Sequence, residues 1–322
     1  MTTKAEERTT AKTRGLLLAA AVGDALGAVF EGRPSVDGDE LMARERAADP
    51  LRYTDDTVQM LVIARHLTEH RAEHRAEHRT GADGDEVDQD ALAAELARAW
   101  AAEPGRGYGA GAHRTLERID GGTPWTRAAR AASPGGSFGN GAAMRAAPLA
   151  LVATSAEHAA ELGRRTAAVT HAHPHGQEGA AMQACAAHLA LRSDPARPLD
   201  RDPFLDVLAA VLRSTEWHTR VDRVRALLAR NASPSYAAEE LGNDASALLS
   251  VPAAVHAFLQ DPDHPGDVVR YAIRAGGDAD TIASMAGALA GARSGTHGLP
   301  PNWLARLENG PDISGLAERF SH

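Results

Sequence analysis

The chain has 322 residues and a formal net charge of −9, so its surface as a whole does not attract nucleic-acid phosphates and no general nucleic-acid affinity is expected. Hydrophobic residues make up 43% but aromatics only 4%, and Ala and Leu dominate while β-branched runs are almost absent, which predicts an all-α protein of closely packed helices. The single cysteine, Cys185, excludes a disulfide framework and reads as a buried inert thiol, in keeping with a reducing, cytoplasmic compartment.

In chain order, residues 1–13 read as a disordered polar tail. The run GLLLAAAVGDALGA then resembles a secretory signal, but Asp24 interrupts it and Glu6 and Glu7 spoil the basic leader. At residues 15–27 it is also too short to span a bilayer, so no membrane partner is expected. It is read as the first buried helix, ending near Gly27 before a loop containing Glu31-Gly32-Arg33-Pro34.

Tyr53-Thr54-Asp55-Asp56-Thr57 opens the next helix, with Val58, Leu61, Val62 and Ile63 as its apolar positions. One side-chain oxygen suffices to cap a helix, yet a hydroxyl and two acids crowd this entrance. The helix continues into EHRAEHRAEHR, where Glu69, Glu73 and Glu77, and likewise His70, His74 and His78, recur every fourth residue. Metal binding by those histidines is weighed against a solvated helical extension stitched by charge pairs, and the extension is preferred. An acidic loop follows, so residues 69–89 read as an insertion.

Residues 90–102 form an amphipathic helix ended by Pro104-Gly105. In the turn RGYGAG, Gly107 and Gly109 expose backbone N–H groups that suit a phosphate, although plain turn chemistry gives the same letters. Gly135-x-Ser137-x-Gly139 has the letters of a hydrolase nucleophile elbow, but the helix-forming residues before it supply no strand, and the elbow is rejected. What remains is a loop with Ser137, Gly139 and Asn140 as hydrogen-bonding positions and Phe138 as a flat apolar surface. It leads into a helix expected near Ala142, and its parts suit a nucleotide-like ligand.

Further helices are expected at about 155–169, 175–192, 201–214 and 219–230. Between the first two, His171 and His173 stand in THAHPH, where a transition-metal site is an alternative to ordinary loop polarity. Pro252 and the DPDHPGD stretch are expected to break the remaining helices, and no linker divides the single domain, 14–322.

The rest is organised around GGDADTIASMAGALAGARSG, Gly276 to Gly295. Asp278, Asp280 and Thr281 crowd another helix entrance; Ile282, Met285, Ala286 and Leu289 follow as a buried stripe. Ala283, Gly287 and Gly291 form a second, small-residue ridge fit for close approach of another helix. Two like clusters suggest one shared centre, and carboxylates brought together repel unless cations lie between them. Oxygen ligands favour hard cations such as Mg²⁺, Mn²⁺ or Ca²⁺, and a two-metal site is the economical reading. A phosphatase using Asp278-x-Asp280 would need a strand before the motif, where a helix and a glycine turn are read instead.

The order GDALGAVFEG, YTDDTVQM, RGYGAG, GGSFGNGAAMR, THAHP and GGDADTIASMAGALAG resembles the ADP-ribosylglycohydrolase family, from about Gly15 to Leu307. That family includes the dinitrogenase-reductase-activating glycohydrolases and the ADP-ribosyl-acceptor hydrolases. The resemblance implies an all-α orthogonal bundle with two Mg²⁺ or Mn²⁺ ions, hydrolysing the bond from C1 of the distal ribose of ADP-ribose to an acceptor. It assigns Thr54, Asp55, Asp56, Asp278, Asp280 and Thr281 to the metals, with Asp280 as bridge. It places Ser137, Phe138, Gly139, Asn140 and His171 around the diphosphate and adenosine, and Glu31 on a loop near the metals. Glu31 or Asp56 would act as general base. The RGYGAG turn resembles the subfamily acting on serine-linked ADP-ribose, while arginine, serine, O-acetyl or nucleic-acid acceptors would all place the same ADP-ribose in the site. A non-catalytic ADP-ribose binder on this fold is expected to have lost metal positions, and all six are present.

Overall fold

A computed structural model of the chain describes residues 4–76, 87–131 and 133–320. Among these there is no sheet, and the helices run α1 Lys4–Gly27, α2 Gly38–Arg46, α3 Asp55–Ala76, α4 Gln89–Ala102, α5 Ala110–Asp120, α6 Trp125–Ala131, α7 Ala156–Ala168 and α8 Pro174–Arg192. They continue as α9 Arg201–Val211, α10 Thr215–Ala229, α11 Pro234–Leu241, α12 Ala247–Gln260, α13 Pro265–Arg274, α14 Ala279–Ser294, α15 Pro301–Arg306 and α16 Gly310–Arg319. The all-α expectation holds.

The fold is built on α1 and α14, which lie antiparallel at backbone contact. A Cβ at Gly287 would stand 2.5 Å from the Ala19 carbonyl oxygen, and one at Gly291 only 2.1 Å from that of Gly15. Ala283 faces Gly23 in the same way, so the small-residue ridge read in α14 meets a matching ridge, Gly15, Ala19, Gly23 and Gly27, on α1. The apolar stripe of α14 packs inward too, with Ile282, Met285, Ala286 and Leu289 all buried. The apolar stretch around α1, Glu7–Phe30, passes a length-and-composition test for crossing a membrane, yet its apolar window is 83% buried inside the fold, as a core helix requires. Antiparallel packing sets the last turn of α1 against the first turn of α14: a Cβ at Gly27 would touch Asp280 Cα at 2.5 Å.

Several local expectations are corrected. Residues 4–13 of the expected tail are helical, because α1 begins at Lys4. Lys12 and Thr13 are buried, and Lys12 Nζ donates to the carbonyls of Leu191, 2.7 Å, and Ser193, 2.6 Å, which close the end of α8. No α-helix starts near Ala142; two 3-10 turns, Asn140–Ala142 and Ala147–Leu151, stand there, since Pro148 has no N–H to donate and its ring would clash with the preceding turn. Pro252 does not break a helix but lies inside α12, where the fully buried Val251, Ala254, Val255 and Phe258 outweigh the lost bond.

The acidic loop of the 69–89 segment closes earlier than expected: Val87 is buried and Asp88 caps α4, accepting from the N–H groups of Asp90 and Ala91. The side chains of the His and Glu repeat beyond Glu69 lie outside the described residues, as do residues 77–86.

Candidate active site

Site construction begins at Asp24, the one acid within the apolar stretch Gly15–Gly27 of α1. It is fully buried, and its carboxylate accepts from Thr54 N, 2.9 and 3.0 Å, from Thr57 N, 3.0 Å, and from Thr57 Oγ1, 2.6 Å. Those bonds fasten the start of α3 to α1. Thr54 Oγ1 accepts from Asp56 N at 3.3 Å, so the hydroxyl supplies the cap and both acids of the pair are left for another purpose. Asp55 N donates to the Arg106 carbonyl, 2.8 Å, which draws the Arg106-to-Gly111 turn onto the same spot.

The second cluster is set by a doubled glycine. Gly276 and Gly277 have φ of +70° and +71°, and a Cβ at Gly277 would lie 2.0 Å from the Asn243 carbonyl oxygen. The tight turn lets Gly32 N donate to the Gly277 carbonyl and Gly277 N to the Arg33 carbonyl, both 2.7 Å, pinning the Glu31 loop to the entrance of α14. The carboxylate oxygens of Glu31, Asp278 and Asp280 consequently lie within 4.8 Å of one another. Asp278 occupies the cap position of α14 without capping it; its Oδ2 accepts instead from Asn140 Nδ2 at 2.6 Å. Asn140 Nδ2 also donates to Ser250 Oγ, 3.0 Å, while Asn140 N and Ala247 N donate to the Ala245 and Phe138 carbonyls, tying the Ser137–Asn140 loop to the start of α12.

All six predicted metal positions, Thr54, Asp55, Asp56, Asp278, Asp280 and Thr281, line one cavity of about 270 Å³. Glu31, Gly107, Gly109, Ser137, Gly139, Asn140 and His171 line it as well. Phe138 does not. Its ring is 55% exposed outside the cavity and meets the His173 ring edge-on, centroids 5.9 Å apart. His173 does not line the cavity either; its Nδ1 accepts from His175 N at 3.0 Å and caps α8.

The charge balance of the cavity is severe. Burial first, and then neighbouring carboxylates, push Asp280 up to about 9 and Asp55 up to about 7; Asp56 is raised well above its usual range for the same reasons. Glu31 is raised by burial and by Asp278. Asp56 Oδ2 is buried with no hydrogen-bond partner. A divalent cation is the group such an oxygen set fits: it would give Asp56 a partner and remove the repulsion.

A second tier of residues escaped the sequence reading. Asp55 Oδ2 accepts from Gln59 Nε2, 2.8 Å, and Gln59 Oε1 accepts from Arg145 Nη1, 2.6 Å. Arg145, buried throughout, donates through Nη2 to Thr170 Oγ1, 2.8 Å, which lies 2.8 Å from His171 Nδ1. Gln59 stands one helical turn after Asp55, a spacing that carries the signal; Arg145, closing the GNGAAMR run, and Asp24 carry none that spacing alone reveals.

Comparison with known proteins agrees with this architecture. The ADP-ribosylglycohydrolase family model matches residues 5–322. ADP-ribosylhydrolase ARH3 of Danio rerio is 33% identical over 95% of this chain and 89% of its own length. The Homo sapiens ARH3 is 30% identical over 97% of this chain and 93% of its own. A solved structure described as an ADP-ribosylglycohydrolase-related protein complex superposes with a TM-score of 0.69, at 26% identity over 98% of both chains. Acid clusters from distant parts of the sequence, one cavity and near-complete coverage lead to one conclusion: the chain is a hydrolase belonging to the ADP-ribosylglycohydrolase family.

Proposed function

We propose that the chain uses two divalent cations, Mg²⁺ or Mn²⁺, to hydrolyse the bond between C1 of the distal ribose of ADP-ribose and an acceptor. The observation that carries this reading is the unpartnered, buried Asp56 Oδ2 among the mutually repelling carboxylates of Asp55, Asp278 and Asp280. Thr54, Asp55 and Asp56 on one side and Asp278, Asp280 and Thr281 on the other would hold the ions. When bound, the ions fix the ribose diol and polarise water.

The chain's own groups account for the rest. The carboxylates offset positive charge developing on the ribose as the acceptor departs. Glu31 is exposed on its loop yet has its carboxylate beside those of Asp278 and Asp280, and its raised pKa moves it toward the range of a useful base. It takes the proton of the attacking water as the water oxygen bonds to C1, and the C1–acceptor bond breaks with its electron pair leaving on the acceptor, which takes up that proton. Asp56 is nearly fully buried, and its free oxygen suits a cation better than a mobile proton. The cavity is large enough for ribose and part of the diphosphate, so the adenosine end extends outward, where Phe138 and His173 offer ring surfaces.

The test is a calorimetric Mn²⁺ titration of chelator-treated protein. Two ions per chain are expected for the wild type, and loss of binding with retained helical circular dichroism for Asp280→Ala. A wild type that binds no Mn²⁺ would refute the metal reading.

A further inference from the structure

The polar relay beneath the cavity has a direction. Arg145 carries only donors, so its Nη2 must donate to Thr170 Oγ1. Thr170 is buried, and His171 Nδ1 is the one acceptor its hydroxyl proton meets among the described residues. Were Nδ1 protonated instead, two donors would face one oxygen and the Thr170 proton would be buried without an acceptor, an arrangement that native interiors avoid. Nδ1 is therefore the accepting nitrogen. The ring is wedged between Gly176 and Gly141: a Cβ at Gly176 would meet its Cδ2 at 2.9 Å, and one at Gly141 its Nε2 at 3.6 Å. His171 lines the cavity, with Nε2 close to Gly139 and Gly141, and among the described residues its only ring hydrogen bond is that of Nδ1 with Thr170.

We propose that Arg145 and Thr170 are positioning residues that fix His171 as the neutral Nε2–H tautomer, aiming one uncharged donor into the cavity at a diphosphate oxygen. Burial, and then the Arg145 charge, hold His171 down at about 3, which agrees with a ring that stays neutral. A neutral donor grips the diphosphate without the added attraction of an imidazolium, which suits an enzyme that must release ADP-ribose. Gln59 joins Arg145 to Asp55, so the orientation of a metal-side carboxylate and of the His171 donor are set by one guanidinium.

The ligand side of this inference rests on the proposed function; the tautomer does not. Long-range ¹H–¹⁵N spectra of the full chain labelled in its histidines, with His171 assigned by the signal missing from His171→Gln, read the tautomer in the free protein at pH 7. The expected result is an unprotonated Nδ1 and a protonated Nε2. A protonated Nδ1, alone or with Nε2, overturns the proposal. Thr170→Val should mix the tautomers and weaken ADP-ribose binding by about 2- to 10-fold, the worth of one neutral hydrogen bond, and Thr170→Ser should restore both. Thr170→Ala removes the hydroxyl without filling space and serves if the valine variant does not fold. A pure Nε2–H tautomer in either hydroxyl-free variant overturns the role of Thr170. Failure of the wild type to bind ADP-ribose would count against the proposed function while leaving the tautomer result standing.

Discussion

Replacing Asp24 by alanine removes the acceptor that joins α1 to α3, and the cost can be worked from the bonds it makes. Two backbone N–H groups, those of Thr54 and Thr57, lose their partner in a dry interior. At about 1–3 kcal/mol for each orphaned donor, the loss is about 2–6 kcal/mol. An opposing term depends on pH. Burial raises the Asp24 carboxyl from 3.8 to about 6, against the lowering effect of its bonds from Thr57 and Thr54. A raised carboxyl stabilises the fold fully below its unfolded pKa, and that contribution disappears as pH rises through the folded value. With 3.8 unfolded and about 6 folded, the wild type loses on the order of 1 kcal/mol between pH 5 and pH 8 through this group, and the alanine variant does not. Urea denaturation in chelator should therefore show Asp24→Ala destabilised at pH 5 and less so at pH 8. An unchanged unfolding midpoint at pH 5 would refute the idea that Asp24 fastens the two helices.

Gly287→Val would drive a side chain into the Ala19 carbonyl; a loss of about 1–3 kcal/mol in urea denaturation, or failure to accumulate folded protein, is expected. Metal-free protein should lose thermal stability as pH rises from about 4 toward about 9, because Asp55 and Asp280 are raised from 3.8 to about 7 and about 9. Mg²⁺ or Mn²⁺ should restore more of the melting temperature at pH 8 than at pH 5. Phe138→Ala should weaken ADP-ribose binding by about 1–3 kcal/mol if the base stacks on that ring, and a calorimetric titration with unchanged affinity would remove it from the site. Glu31→Gln should keep metal and ADP-ribose binding but slow hydrolysis by about 10²–10⁴-fold; a wild-type rate at saturating metal would pass the base role to Asp56.

The helical class and the two acid clusters were legible because they are local. Ala-rich periodicity marks helices, and surplus acids at a helix start stand out against the single cap a helix needs. The small-residue ridge of α14 was legible as well, but its partner was not: Gly15 and Gly23 reveal their purpose only when α1 lies against α14. The same limit hid Asp24, Gln59 and Arg145, whose bonds join residues brought together by packing. Pro252 and Lys12 misled for the opposite reason. A proline ordinarily ends a helix and a charged leader ordinarily stays in water, but burial of Val251 and Phe258 and the free carbonyls closing α8 override those tendencies. The loop that carries Phe138 was legible as a loop, while the side-chain direction that sets Phe138 outside the cavity depends on how Ser137 and Gly139 turn inward.

The most direct measurement is release of free ADP-ribose from a panel of defined acceptors, including serine- and arginine-linked peptides, O-acetyl-ADP-ribose and ADP-ribosylated nucleic-acid ends. Chelator-treated wild type should release none, and added Mg²⁺ or Mn²⁺ should restore hydrolysis of at least one acceptor, while Asp280→Ala stays inactive at every metal concentration. Undiminished hydrolysis in chelator, or by Asp280→Ala, would contradict a cation-dependent glycosidic cleavage in this cavity.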